Sequence, residues 1–299
     1  MLVAQDFRDR ARAALNGKWA LAVGTGFVAS LLGAGTIFTG SSSGSSSSSS
    51  DAESYETMFS EMPEEAIAIF VMIMAVMVGI ALLWALVIFI LGGPITLGYV
   101  KFNLNLVDNN NPQFSDLFSQ FGRFGEGFLV QLLRNLYIFL WSLAFVFPGM
   151  IIAVILGVVF GMSGSAEVAG VIAVIVVFIV VVVACVFIVP KQYGYAMAPY
   201  ILYENPGMGA NQAIKESIQL MNGNKWRLFC LCISFIGWAL LTVLTCGIGG
   251  LWLKPYQEAA YAAFYREIKR ERYGEPVYEN PSYVNPYEQD SVYSDYSNV

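Results

Sequence analysis

From Ala66 to Val100 the chain carries no charged residue, and the runs Trp19 to Phe38, Asn135 to Ala166, Val168 to Pro190 and Leu228 to Leu253 are equally charge-free. A helix needs about 20 apolar residues to cross ~30 Å of hydrocarbon, rising 1.5 Å per residue and satisfying its own backbone polar groups. Each run is long enough. The expected fold is therefore all-α, a polytopic transmembrane helical bundle. Composition agrees: 57% of residues are apolar and 13% charged, against ~25% charged in soluble domains.

Spans are expected near residues 19–38, 66–91, 135–162, 168–190, 228–244 and 248–265, within a bundle covering 19–272. Pro148-Gly149 should kink or split the third. The block from Leu228 is interrupted by Thr245-Cys246-Gly247-Ile248-Gly249-Gly250, which allows either one helix or a glycine turn with a returning helix. Basic residues gather on the cytoplasmic side of short loops. Arg8, Arg10, Arg12 and Lys18 precede the first span; the loop 39–65 has six acidic residues and no basic one; Lys101, Arg123 and Arg134 follow the second span. Lys191, Lys215, Lys225 and Arg227 follow the fourth, and Arg266, Lys269, Arg270 and Arg272 come last. Only the turn places that last cluster inside. Six spans with both termini cytoplasmic are expected, in the cell membrane; an external C-terminus would make five. The first apolar run is too long for a cleaved signal peptide.

Outside the spans, residues 1–18 are expected to form an interfacial amphipathic helix. Val3, Phe7, Ala11, Ala14 and Leu15 lie on one face, and Arg8 and Arg12 on the other, toward an anionic leaflet. The loop 39–65 begins with a nearly pure serine tract, which cannot pack a core. Residues 210–222 form a cytoplasmic helix with Ala210, Ala213, Ile214, Ile218 and Met221 on one face, which either docks on the bundle or receives a partner. The tail 273–299 has five acidic residues, six tyrosines and no basic residue, and should be disordered. It reads either as a free terminus or as a tyrosine-bearing motif for a cytoplasmic protein.

Small residues four apart let membrane helices approach closely. Ala22, Gly26, Ser30 and Ala34 form such a stripe, as do Gly149, Ala153, Gly157 and Gly161. Ionisable residues at membrane depth are functional candidates. They are Arg134, at the inner edge of the third span, and Lys254 with Glu258, four apart on one helical face and able to pair. The set is sparse for a proton relay.

The chain has no histidine, which removes the commonest general base and metal ligand. No cofactor or metal is expected, and an enzyme is not. Cys185, Cys230, Cys232 and Cys246 sit in or beside apolar runs and read as small buried residues. No basic patch suits nucleic acid. The partners expected are the lipid bilayer and a cytoplasmic protein. The leading function is a non-enzymatic scaffold or regulatory protein, and the alternative is a transporter or permease for a small or lipidic solute.

Ala196-Met-Ala-Pro-Tyr-Ile-Leu202, Glu204-Asn-Pro206, Gln212-Ala-Ile-Lys-Glu-Ser217, Met221-Asn-Gly-Asn-Lys-Trp226, Ser234-Phe-Ile-Gly-Trp238 and Thr245-Cys-Gly-Ile-Gly249 form a recognisable set. With Pro255-Tyr256, Phe264-Tyr265, Ala14-Leu-Asn-Gly-Lys-Trp19, Gly93-Pro94, Gly98-Tyr99 and Leu140-Trp-Ser-Leu143 through Pro148-Gly149, they resemble bacterial domain-of-unknown-function family 975 over residues 5–160 and 190–268. The resemblance implies an integral membrane protein, of a kind found mainly in Gram-positive anaerobes, without an assigned activity. One departure is plain. In the family the Pro-Gly element is followed closely by the tyrosine-rich segment, whereas here residues 150–192 intervene.

Overall fold

The computed structural model describes residues 4–34, 63–162, 166–245 and 247–274. The helices are α1 (Ala4–Leu15), α2 (Trp19–Leu31), α3 (Glu64–Val107), α4 (Phe124–Met162), α5 (Ala166–Gly194), α6 (Ala198–Glu204), α7 (Ala210–Leu220), α8 (Lys225–Ile233), α9 (Ile236–Leu244) and α10 (Gly250–Tyr273). Two 3-10 turns, Phe114–Phe118 and Phe121–Arg123, link α3 to α4. No strand occurs among the described residues, and the fold is an all-α membrane bundle. Most of the Ser-rich loop and nearly all of the tyrosine tail lie outside the described residues.

The long helices have two kinds of surroundings. On α3, which at 44 residues extends about 66 Å, Met72 and Leu82 are exposed while Ile95, Leu97, Phe102, Leu104 and Leu106 are fully buried. Val154 on α4 and Val174 and Phe178 on α5 are also exposed. A soluble monomer does not leave contiguous apolar surface on this scale, and hydrocarbon is the solvent that suits it. Four helical runs are long and apolar enough to cross a membrane: Glu65–Val107, Phe114–Ile152, Val174–Glu204 and Lys225–Leu244.

The remaining two expected spans look different. α2 has 13 residues, about 20 Å, and stops at Gly33, whose φ is +85°. The Ala34 N–H bonds the Ala29 carbonyl (2.8 Å) and the Gly33 N–H bonds the Ser30 carbonyl (3.2 Å), closing the helix end with a Schellman pattern. The glycine turn ahead of α10 also closes with an i to i−5 bond: Gly247 has φ +87° and its N–H donates to the Thr242 carbonyl at 2.8 Å. α10 then runs back, since Arg227 near the start of α8 pairs with Glu271 near the end of α10 (2.7 Å). From Ala259 to Tyr265 every residue of α10 is buried, against α1, α2 and α3. Protein rather than lipid surrounds this stretch, which is itself uncharged and is flanked by Glu258 and Arg266.

α1 contributes to that wrapping. Phe7, Ala11, Ala14 and Leu15 are buried, and Phe7 meets Phe264 edge-on (5.3 Å between ring centres). The apolar face of α7 is likewise covered by protein through Ala210, Ala213 and Ile214. Ile218, placed on that face by periodicity, is exposed, and Ser217 takes the inward position. The Ser217 hydroxyl donates to the Gly194 carbonyl (2.7 Å) and accepts from the Met197 N–H (3.2 Å), tying α7 to the chain between α5 and α6.

α4 continues unbroken through Pro148 and packs along α5. Phe145 stacks on Phe187 (4.8 Å), and Lys191 lies over the Trp141 ring (4.4 Å). A Cβ on Gly149 would stand 2.3 Å from Val180 Cγ1, so glycine is required there. α3 and α4 meet through glycines at both sides: a Cβ on Gly93 would stand 2.5 Å from the Gly127 backbone. At Gly98 it would stand 1.9 Å from the Leu117 carbonyl oxygen. Backbone cannot yield as a side chain can. Gly98→Ala should therefore lower stability by about 3 kcal/mol. Gly79→Ala, which meets nothing within 4 Å, should leave the melting temperature unchanged or slightly raised. Thermal unfolding of both variants in detergent checks the contrast.

Candidate functional site

Two polar layers lie against α10. The first is at the basic end of the bundle. Arg266 of α10 bridges Asp108, which caps α3, and Glu204, the last residue of α6. Lys269 adds a second cation to Glu204 (3.0 Å), and the Tyr265 hydroxyl donates to the same carboxylate. Arg123 closes the C-terminal end of α6 by donating to the Leu202 (2.7 Å) and Tyr203 (3.2 Å) carbonyls, where the helix dipole favours a cation. Lys101 pairs with Asp116 (2.8 Å), which also accepts from Asn105 (3.1 Å) and the Gln113 N–H (3.0 Å). Arg10 of α1 reaches Glu267 at 3.1 Å.

Burial raises the Asp108 carboxyl above its ordinary pKa despite the adjacent Arg266, whose guanidinium the same carboxylate holds protonated. A carboxyl raised in the fold contributes stability that is present below its unfolded pKa. That contribution is lost as pH rises through the folded value. Arg266 is what keeps the loss small.

The second layer lies two turns earlier on α10, around Glu258. This carboxylate is 5% exposed, and its Oε1 has no hydrogen-bond partner. Arg134 from α4 and Lys254 from α10 are within electrostatic reach of it, as are the hydroxyls of Tyr99 (α3) and Tyr200 (α6). Both hydroxyls are buried and lack a hydrogen-bond partner, as does Asn103 Oδ1, one turn beyond Tyr99. Asn103 spends its amide N–H on the Tyr99 carbonyl (2.8 Å). The phenol of Tyr99 reaches α2: a Cβ on Gly26 would stand 3.0 Å from its oxygen and 3.7 Å from Pro255 Cδ. Gly26 thus admits both Tyr99 and the Pro255 turn of α10. Tyr200 packs its ring on Tyr265 (5.0 Å), beside the same helix.

The structure brings together the three ionisable residues singled out from the sequence. Arg134 and Lys254, from α4 and α10, both act electrostatically on Glu258. The Lys254–Glu258 couple differs in detail from the expected pair. The Lys254 ammonium turns to the end of α2, donating to the Ser30 hydroxyl and the Ala34 carbonyl (2.8 Å). An open carbonyl at a helix C-terminus is a strong acceptor for a cation. Of the small residues, Gly26 and Ser30 face this site and Gly149 faces α5; the surroundings of Ala153, Gly157 and Gly161 lie outside what is described. Tyr99, Asn103 and Tyr200 carry no charge and so do not stand out in the sequence as the three ionisable residues do. The i, i+4 spacing of Tyr99 and Asn103, on either side of Lys101 where the charge-free run ends, is the available signal.

A bundle of apolar helices closed around a charged internal helix defines an all-α, multi-pass membrane protein. Within that class, residues 1–272 match the family described as "Protein of unknown function (DUF975)", and the chain belongs to it. The match runs through the valine-rich α5, which the partial resemblance had skipped. No curated protein and no solved structure matches the chain.

Arg266→Gln should cost about 3 kcal/mol at pH 7, since it strands the Asp108 carboxylate and leaves Glu204 with Lys269 as its remaining cation. The deficit relative to the parent should narrow on acidification, as protonation of Asp108 removes the charge that Arg266 neutralised. Melting temperatures of both proteins from pH 7 to pH 4 measure this.

Proposed function

We propose that this chain is a non-enzymatic protein of the cell membrane of a bacterium, with both termini cytoplasmic, that organises or regulates cytoplasmic partners. The observation that carries the reading is the dense ion pairing at the basic end. Asp108, Glu204, Arg266 and Lys269 lock α3, α6 and α10 together, and α1 and α7 are docked alongside. A rigid polar platform is what a partner-binding protein needs, since little ordering remains to oppose association. The basic residues of that end support a cytoplasmic position by the positive-inside rule. Trp226 at the start of α8 is 70% exposed there, and aromatic residues are enriched at protein contacts.

A photo-crosslinker at Trp226 should capture a discrete protein adduct in living cells, and the same probe at the lipid-facing Val174 should capture none. Removal of residues 273–299 should alter the set of adducts if the tail contributes. Identical sets from both sites would overturn the platform reading. For orientation, a fluorescent fusion after residue 274 should be bright and a phosphatase fusion at the same place inactive.

A second reading, a carrier for a small solute, is favoured by the unpartnered polar atoms around Glu258. Such a carrier needs a water path to that carboxylate. Single cysteines along α10 should then react with a small cationic thiol reagent in a helical rhythm that includes position 254. Uniform inertness from 251 to 262 would remove this reading.

A further inference from the structure

Four buried polar atoms have no hydrogen-bond partner: Glu258 Oε1, the hydroxyls of Tyr99 and Tyr200, which interact electrostatically with it, and Oδ1 of Asn103, one turn from Tyr99. They belong to side chains of α10, α3 and α6, which are 5%, 3%, 2% and 1% exposed in the same order. Single unsatisfied groups occur in folded proteins, but several converging on one place are a mark of bound solvent. Their chemistry is also specific. Glu258 Oε1 and Asn103 Oδ1 can only accept, whereas each phenol can both donate and accept. A set rich in acceptors calls for a ligand that brings hydrogens. A metal cation fits less well, because Lys254 and Arg134 already outnumber the single carboxylate facing them. Tyr261, the other titratable neighbour from α10, has its hydroxyl 3.5 Å from Cys232 Sγ and so is otherwise engaged.

We infer that Glu258, Tyr99, Tyr200 and Asn103 enclose a small internal hydration site, in which bound water donates to the two carbonyl-type oxygens and bridges the phenols. The water links the unsatisfied oxygen of Glu258 to α3 and α6, so three helices share one hydrogen-bonded centre. This deepens the carrier reading by naming what the polar site holds. It does not require that the site open to bulk solvent, and the two ideas are separable by experiment.

Full-length protein in lipid nanodiscs would be exposed to millisecond X-ray pulses, which turn bound water into hydroxyl radicals that oxidise the nearest aromatic rings. Mass spectrometry then reads each site. Tyr99 and Tyr200 should be oxidised at least about tenfold faster than Phe7 and Phe264, equally buried rings that pack edge-on against each other. Oxidation of the two tyrosines no faster than those phenylalanines would overturn the hydration site. Repeating the pulse at increasing delays after mixing with 18O-water distinguishes the rest. Rapid incorporation of 18O supports both the site and a path to it. Tyrosine oxidation without rapid 18O uptake supports the site and overturns the carrier reading.

Discussion

Arg266 holds the basic end of the bundle together. Its guanidinium lies between Asp108 of the α3 cap and Glu204 of α6, so three helices far apart in sequence are referenced to one planar group. Arginine suits the position because its fork presents separate donors to two carboxylates while remaining charged at any accessible pH. Lys269 and Tyr265 reinforce Glu204, and Arg123 closes the open carbonyls of the same short helix. Seven-residue α6 would be too short to persist alone. It is helical because both its ends and its Tyr200 ring are held by neighbours.

The same helix α10 presents a second layer of polarity to the interior. Its first half carries Lys254 and Glu258, and its second half carries the ion-paired residues. Such a helix would be unstable against lipid, and it does not face lipid. α1, α2 and the second half of α3 surround it, while the first half of α3 and the outer faces of α4 and α5 remain apolar and exposed. Lipid thus meets uncharged side chains, and the charges meet one another. At Gly26 α2 comes close to both the Tyr99 phenol and Pro255 of α10, and an added Cβ there would stand 3.0 Å from that phenol oxygen.

Much of this was legible from residue type. Long charge-free runs specify helices, and the basic cluster after Gly250 points to a returning chain; the Arg227–Glu271 pair puts the start of α8 beside the end of α10. The intramembrane ionisable residues stand out as three isolated charges, and two of them, Lys254 and Arg134, act electrostatically on the third. The partners of those charges were not legible. Tyr99 and Tyr200 are apolar by composition and lie 101 positions apart, so nothing local relates them to Glu258. Likewise periodicity placed Ile218 inward, whereas Ser217, whose hydroxyl has a carbonyl to bind, faces in and Ile218 stays partly exposed.

The sequence alone determined membrane insertion and the all-α class, because hydrocarbon offers no hydrogen bonds and a charge-free run long enough to cross it has to satisfy its own backbone. It also marked Arg134, Lys254 and Glu258 as costly residues that need company. Only the tertiary structure decided what that company is. Electrostatic neighbours are set by the separation of helices in space, and that separation depends on where glycines such as Gly26, Gly93, Gly98 and Gly149 let backbones meet. It also decided that α10 is sheltered by protein, a property of its neighbours that its own residues do not encode.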